Sequence, residues 1–252
     1  MGQVITVGLD IAKHVFQVHG IDDQGVIVIR RKVRRSELLN FFRAIKPCLV
    51  GIEACATAHH WGRELSALGH QVRLMPPVYV KPYVKRQKND MADAEAICEA
   101  VSRPTMRFVP LKTTEQQAVL MLHRSRELLI RQRTMLINAL RGHMAEFGVV
   151  MRQGAVGVAG LIAVIEDSDG AIDSMAREAL LPLVAQLREM QGRIAHLDRL
   201  ILSWHRSNAA SRRLATIPGV GPITASAVVA TITDPSLFRS GRQLAAWLGL
   251  VP

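Results

Sequence analysis

Three short runs of β-branched and apolar residues open the chain, and they restrict its fold more than any other feature. They cover residues 3–8, 14–20 and 26–30. Asp22 and Gly25 lie between the second and third runs, in the composition that is typical of a hairpin turn. The pattern predicts three antiparallel strands.

Helices and strands alternate after this hairpin. The spacing of apolar residues predicts a helix after residue 36, and a buried strand over 48–52 leads into Glu53. A second helix ends at Gly69, and residues 71–75 form a further strand. Strands that are followed by alternating helix and strand indicate an α/β fold with a mixed sheet.

The second half of the chain is predicted to be helical. Residues 114–147 are helical and rich in charge, whereas the small, Gly-rich residues 151–170 are predicted only as a connection. A heptad of apolar residues follows, comprising Leu183, Leu187, Met190, Ile194, Leu197, Ile201 and Trp204. This heptad favours a two-stranded coiled coil between chains. The alternative is a long helix that packs inside its own chain, on residues 114–147.

Charge indicates a polyanionic partner. Lys and Arg number 32 against 21 Asp and Glu, which gives a net charge of +11, and nucleic acid is the usual partner of so basic a chain. The three cysteines lack metal-ligand spacing and no signal peptide opens the chain, so we expect a cytoplasmic protein. The uncharged stretch 214–233 contains Pro218 and Gly219, which predict a turn between two helices and no membrane partner.

Four acidic residues are placed where they could meet. Asp10 and Glu53 end two predicted strands, and Asp90 and Asp93 share one face of a helix predicted over 90–102. At ~5 Å and an effective dielectric near 20, each pair would repel by about 3 kcal/mol. A hard cation such as Mg²⁺ relieves this repulsion and leaves room for a phosphate substrate. Each acid alone has a structural alternative, as a helix cap, an ion-pair partner or a solvated residue.

Three basic or glycine-rich segments are candidates for contact with nucleic acid, although a solvated face would explain the basic clusters equally well. The segment from residue 211 has the layout of a helix-hairpin-helix, whose turn amides can hold a DNA phosphate; a helical corner that only packs is the alternative. The candidate residues are Arg30, Arg31, Lys32, Arg34, Arg35, Lys81, Lys85, Arg86, Lys88, Arg212, Arg213, Gly219 and Gly221.

Five motifs together resemble one known family. In order they read GLDIAKHVFQV, GIEACATAHHW, KNDMADAEAICEA, IPGVGPITASAVVATI and FRSGRQLAAWLGLVP. As a set they are similar to the DEDD transposases of insertion-sequence family one hundred and ten, bacterial relatives of the pilin-gene invertases. The resemblance implies a RuvC-like domain of RNase H fold over residues 1–108. In that domain Asp10, Glu53, Asp90 and Asp93 would form a Mg²⁺ site that also accepts Mn²⁺.

The resemblance also implies that the later segments of the chain have different functions. Residues 109–207 would form a coiled coil that joins two or four copies. Residues 208–252 would begin the transposase domain, which supplies a serine nucleophile in this family. A structured guide, the bridge RNA, would select donor and target DNA.

The family's serine lies shortly after the GLVP segment, where this sequence stops at Pro252. We therefore expect this fragment to bind nucleic acid but not to exchange strands alone. Two alternatives are a RuvC-like Holliday-junction nuclease, which uses water as its nucleophile, and a coiled-coil protein that binds DNA or RNA without catalysis.

Overall fold

A five-stranded mixed sheet forms the first part of the protein. The computed structural model describes residues 2–85, 90–168, 170 and 172–250, without the side chain of Asp90. The strands are β1 (Thr6–Asp10), β2 (Val15–Ile21), β3 (Ile27–Arg34), β4 (Leu49–Glu53) and β5 (Gln71–Met75). Their order across the sheet is β3-β2-β1-β4-β5. The first three strands are antiparallel, and β4 and β5 run parallel to β1, which confirms the predicted mixed sheet.

The predicted hairpin turn forms between β2 and β3. The Asp22 carboxylate accepts hydrogen bonds from the backbone N–H groups of Gln24, at 3.1 Å, and Val26, at 2.9 Å. Gly25 adopts a left-handed φ of 80°, which glycine reaches without steric cost. Turn chemistry that was visible in the sequence therefore fixes this part of the sheet.

Helices cover both faces of the sheet. They are α1 (Leu38–Arg43), α2 (Ala58–Ala67), α3 (Pro77–Val80) and α4 (Asp90–Val101), with short 3-10 turns at Arg35–Glu37 and Lys81–Tyr83. Buried residues of α1 and α2, among them Phe42 and Leu65, pack with Val50 and Ile52 of β4 in one core cluster. Helix α4 packs on the opposite face with Met75. Three layers result, as in an α/β RuvC-like fold.

The second part of the protein is helical. Its elements are α5 (Thr114–Glu146), α6 (Ala155–Glu166), α7 (Ser174–Ser207), α8 (Ala209–Leu214) and α9 (Pro222–Thr231). Helices α5 and α7 are antiparallel, because Trp204 Nε1 donates to Glu115 Oε1 at 2.6 Å while Leu140 and Leu180 share one core at the other end. Helix α6 lies within residues 151–170, which the sequence predicts only as a connection.

The heptad is used inside the chain. Leu187, Met190, Ile194 and Ile201 are buried, and α7 packs along α5, with an ion pair between Arg126 and Asp198. The apolar side of this heptad has a partner in residues 114–146 of the same chain, and association of copies through the heptad stays a prediction. The alternative of a helix that packs inside its own chain is confirmed.

Contacts divide the chain into two compact units that differ from the predicted domains. Thr114–Ile232 forms the helical unit. Residues 233–252, which include α10 (Gly241–Trp247), are grouped with Met1–Thr113. The functional boundaries at residues 108 and 207 stay predictions. Within the part of the chain that the structure describes, every helix is too short or too polar to span a bilayer.

Candidate functional site

Asp10 and Glu53 end neighbouring parallel strands on one face of the sheet. Leu9 is the register partner of Ile52, and each acid is the next residue in its strand. Side chains alternate along a strand, so Asp10 lies on the same face as Gly8, and Glu53 on the same face as Gly51. The strands therefore bring together the two acids that the sequence singled out at strand ends.

Helix α4 covers this face closely because both glycines lack a side chain. A Cβ atom on Gly8 would overlap the backbone of Ala94 and Cys98, and one on Gly51 would lie 2.7 Å from Val101 Cβ. Cys98 Sγ lies 3.7 Å from the carbonyl oxygen of Thr6. The helix backbone thus rests directly on β1 and β4.

The direction of α4 brings its first turn toward Asp10. The Ala94 carbonyl and the Cys98 amide both approach Gly8, and Cys98 Sγ reaches the carbonyl oxygen of Thr6, so the helix runs antiparallel to β1. The helix turn that precedes Ala94 therefore lies toward the Asp10 end of β1. That turn contains Asp93, which is half-buried.

The complete four-acid set stays a prediction. The side chain of Asp90 lies outside the described residues, and the described side chains hold no group of three acids, histidines or cysteines placed to bind a metal ion. What the structure establishes is the strand-end pair Asp10 and Glu53, together with a helix that is directed toward it. Carboxylate oxygens are the ligand type that Mg²⁺ and Mn²⁺ take.

Gln17 adds a buried oxygen to this region. It is the register partner of Asp10 on β2 and is 4% exposed. Its Oε1 has no hydrogen-bond partner among the described residues. An unsatisfied buried acceptor costs about 1–3 kcal/mol, and a carboxamide oxygen is a hard ligand of the same kind as a carboxylate. The residues therefore fit a hard cation or its bound water. Sequence reasoning missed Gln17, whose only signal was the polar alternation along residues 14–20.

The loop after Glu53 lies close enough to both acids for their charges to affect the pKa of its cysteine. Partial burial raises the pKa of the Cys55 thiol, and the negative charges of Glu53 and Asp10 raise that pKa further. Thr57 has a left-handed φ of 71°, an uncommon conformation for a β-branched residue and one that concentrates at functional sites. A strained loop thus lies next to the carboxylate pair.

Two basic clusters that are far apart in the sequence meet on the α4 face. Arg30 pairs in register with His19, and His19 pairs with Gly8, so all three positions share this face. The charges of Arg30 and Lys85 both act on buried His19. Lys85 also forms a 2.5 Å ion pair with Glu95 of α4, which lowers the pKa of that carboxyl. Cations therefore lie on the same face as the acid pair.

The other predicted basic residues divide into exposed and packed groups. Lys32, Arg34 and Lys81 are exposed. Arg31 lies over the ring of Phe41 at 5.5 Å, and half-buried Arg35 lies 5.0 Å from the ring of Trp61, so these two guanidinium groups stabilise the fold. Exposed charge on the edge strand β3 also opposes pairing with other sheets. Arg86 and Lys88 lie outside the described residues.

Buried His19 predicts a pH dependence of stability. Its pKa is lowered, chiefly by burial, so the folded chain holds it neutral while the unfolded chain takes up a proton near pH 6.5. We expect the free energy of unfolding, measured with urea, to fall as the pH drops below about 6.5. His19→Gln should reduce this fall, and exposed His14→Gln should leave it unchanged. An unaltered pH profile in His19→Gln would contradict the assignment.

The predicted helix-hairpin-helix is present in the helical unit. Helices α8 and α9 are joined by a turn in which Gly219 has a left-handed φ of 84°, and Gly221 is the N-cap of α9. Arg212 and Arg213 are exposed on α8. The buried face of α9, with Ala225 and Ala230, packs in the helical unit. The turn and its two arginines therefore remain available to a ligand.

Comparison with known proteins gives two matches to transposase families. Residues 7–148 match the DEDD transposase family of IS110 elements. Residues 211–252 match the transposase family described as IS116/IS110/IS902. The first match covers more than half of the chain and includes both strand-end acids.

Individual relatives agree with these matches. A Pseudomonas aeruginosa protein named "Probable family 20 transposase" is 50% identical over 248 residues, which are 98% of this chain and 73% of the relative. The transposase for insertion sequence element IS1328 of Yersinia enterocolitica is 37% identical, over 100% of this chain and 75% of the relative. The Sinorhizobium fredii protein y4pF/y4sB is 47% identical, over 99% of this chain and 64% of the relative. The chain belongs to the IS110 family of insertion-sequence transposases.

Proposed function

We propose that this chain takes part in DNA transposition by phosphoryl transfer at the Asp10–Glu53 pair. The observation that supports the proposal is the placement of these two carboxylates on one sheet face, which helix α4 covers; the contribution of Asp93 is part of the proposal. Cations on the same face attract the phosphate backbone. Such a site requires carboxylates that hold a hard cation and positively charged side chains that hold DNA.

Mg²⁺, with Mn²⁺ as a substitute, fits the oxygen donors of Asp10, Glu53 and Gln17. When bound, the cation would polarise a phosphoryl oxygen and neutralise charge that develops on it. The protein's own side chains would orient the site and hold the DNA. The carboxylates orient the site, Arg30 and Lys85 attract the DNA backbone, and the close packing of α4 on Gly8 excludes water from one side.

Two finer parts of the proposal rest on the family resemblance. They are the covalent link through a serine and the selection of DNA by a bridge RNA. The relatives are longer than this chain, which spans 64% to 75% of their lengths. The net charge of +11 suits RNA as well as DNA. RNA that copurifies with the chain and is removed by ribonuclease would support the guide.

DNA binding with and without Mg²⁺ tests the proposed function. We expect labelled duplex and four-way junction DNA to bind with an affinity that falls steeply with salt, because phosphate contacts dominate. Mg²⁺ should strengthen the binding and EDTA should reverse this effect. Free cleavage products would indicate the junction nuclease, and an SDS-stable protein–DNA adduct would support the serine. DNA binding that does not respond to Mg²⁺ would indicate the non-catalytic binder, and absence of binding would overturn the proposal.

We also propose that copies of the chain associate through α5, because the heptad of α7 is occupied. Met121, Leu128 and Met135 are 65%, 48% and 70% exposed. They lie seven residues apart and therefore on one side of the helix. An apolar stripe of this kind suits a second copy of the same helix in a dimer or tetramer.

Polar substitution of this stripe should dissociate the oligomer. We expect the triple variant Met121→Gln, Leu128→Gln and Met135→Gln to sediment as a monomer with an unchanged helical circular dichroism spectrum. Met175→Gln is the matched control, because Met175 is 78% exposed on α7 outside the stripe. If the triple variant and the control show the same mass in light scattering, the stripe is not the interface.

A further inference from the structure

Both tyrosines of the chain line one cleft next to β5, an outer strand of the sheet. The cleft has a volume of about 400 Å³, which is within the range of small-ligand sites. The sequence contains two tyrosines in all. The lining residues are Tyr79, Pro82, Tyr83, Thr105, Met106 and Arg107.

Local structure explains why the tyrosines meet. Strand β5 ends at Met75, and the chain continues through α3 into the 3-10 turn Lys81–Tyr83, so Tyr79 and Tyr83 are separated by one helical turn. On the other side, Val109 pairs with Leu74 of β5 in an isolated antiparallel bridge. That bridge brings the segment with Arg107 alongside the tyrosines.

The cleft combines aromatic surface with positive charge. Tyr79 is 40% exposed, a large fraction for an aromatic ring. The Arg103 guanidinium lies 5.8 Å from the ring centre of Tyr83, although Arg103 is also paired with Glu99 at 2.5 Å. Arg107 is exposed and has no hydrogen bond or ion pair with the described residues. A ligand of this cleft would therefore have a flat apolar face and a negative charge.

We propose that this cleft holds one unpaired base of single-stranded nucleic acid, stacked on Tyr79, with the adjoining phosphates on Arg107 and exposed Lys81. Base–tyrosine stacking tolerates any sequence because each base has a π face. This inference rests on the proposed function and adds to it a binding site for single strands.

The position of the cleft agrees with such a role. Met75, the last residue of β5, is the register partner of Glu53. The segment that carries Tyr79 therefore leaves the sheet at the carboxyl ends of the parallel strands, where the acid pair also lies. A base held there would anchor a strand that has been unpaired from its duplex near the acids.

Binding of a labelled single-stranded oligonucleotide, compared with the same sequence in duplex form, tests this proposal. We expect Tyr79→Ala to weaken single-strand binding about 5- to 150-fold and to leave duplex binding nearly unchanged. Tyr79→Phe keeps the ring and should bind like the unaltered chain. Val78→Ala is the matched control, because Val78 is 67% exposed next to Tyr79 but does not line the cleft. Circular dichroism checks that each variant folds.

Photo-crosslinking gives a second readout. An oligonucleotide with 5-iodouracil at one position should crosslink to Tyr79 or Tyr83, as identified by peptide mass spectrometry. Crosslinks confined to other peptides, or equal loss of single-strand and duplex binding in Tyr79→Ala, would overturn the base site while leaving DNA binding intact. A chain that binds no nucleic acid of either form would overturn the proposed function as well.

Discussion

Gly8→Ala should lower the free energy of unfolding by about 3 kcal/mol, the upper end of the range for overpacked cores. The added methyl group would meet the backbone of Ala94 and Cys98, and a helix backbone yields less easily than the end of a side chain. Helix α4 would have to move away from β1, and Asp93 would move with it. Urea unfolding measures the loss of stability, and Mn²⁺ titration measures the effect on the candidate site.

Gly142→Ala is the matched control for this prediction. Gly142 lies inside α5, where an added Cβ would meet nothing within 4 Å. Alanine is favoured over glycine inside a helix by up to about 1 kcal/mol, so this variant should be unchanged or slightly more stable. If Gly8→Ala unfolded at the same urea concentration as the unaltered chain, the close approach of α4 to β1 would be refuted.

The strand-end acids could be predicted because they depend on local pattern and on a general property of sheets. Short β-branched runs identify β1 and β4, and the carboxyl ends of parallel neighbours meet at one edge. Asp10 and Glu53 end these two runs, and the structure adds that the two strands are parallel neighbours. The pairing of helix positions 90 and 93 likewise depends only on helical periodicity.

The packing of helix α4 on this face of the sheet could not be predicted from local patterns. Polar alternation in β2 is typical of a strand with one solvated face, yet Gln17 and His19 are 4% exposed. They are buried because α4, more than seventy residues away in sequence, packs on Gly8. Which face a distant helix covers depends on tertiary contacts that periodicity does not encode.

The glycines within residues 151–170 and the heptad of α7 were also ambiguous, because the sequence does not show which segment each of them packs against. Gly154, Gly157 and Gly160 read as a connection, but Gly157 allows α6 to approach the carbonyl of Arg152 closely, and Gly154 is the N-cap. The heptad of α7 identifies an apolar stripe without identifying what covers it. Here α5 of the same chain covers it.

Asp10→Asn should abolish the response of the chain to divalent cations. Removing groups that only support a metal ligand costs about 10- to 100-fold in metal affinity, so loss of a charged ligand should cost at least about 100-fold. We expect no calorimetric signal with Mn²⁺ and no increase in Tm on its addition. DNA binding should lose its dependence on Mg²⁺, while the salt-dependent part that comes from Arg30 and other cations persists.

The stability of the same variant separates a functional role from a structural one. Asn keeps the shape of Asp and one of its two acceptor oxygens, and it relieves the repulsion between the charges on neighbouring strand ends, so we expect the variant to remain folded without metal. Exposed Asp23→Asn, in the β2–β3 turn, is the matched control and should leave metal binding intact. A large loss of stability in Asp10→Asn, with Mn²⁺ binding retained, would assign Asp10 to the fold. A stable variant that no longer binds Mn²⁺ would assign it to the site, because the fold would then not depend on its charge.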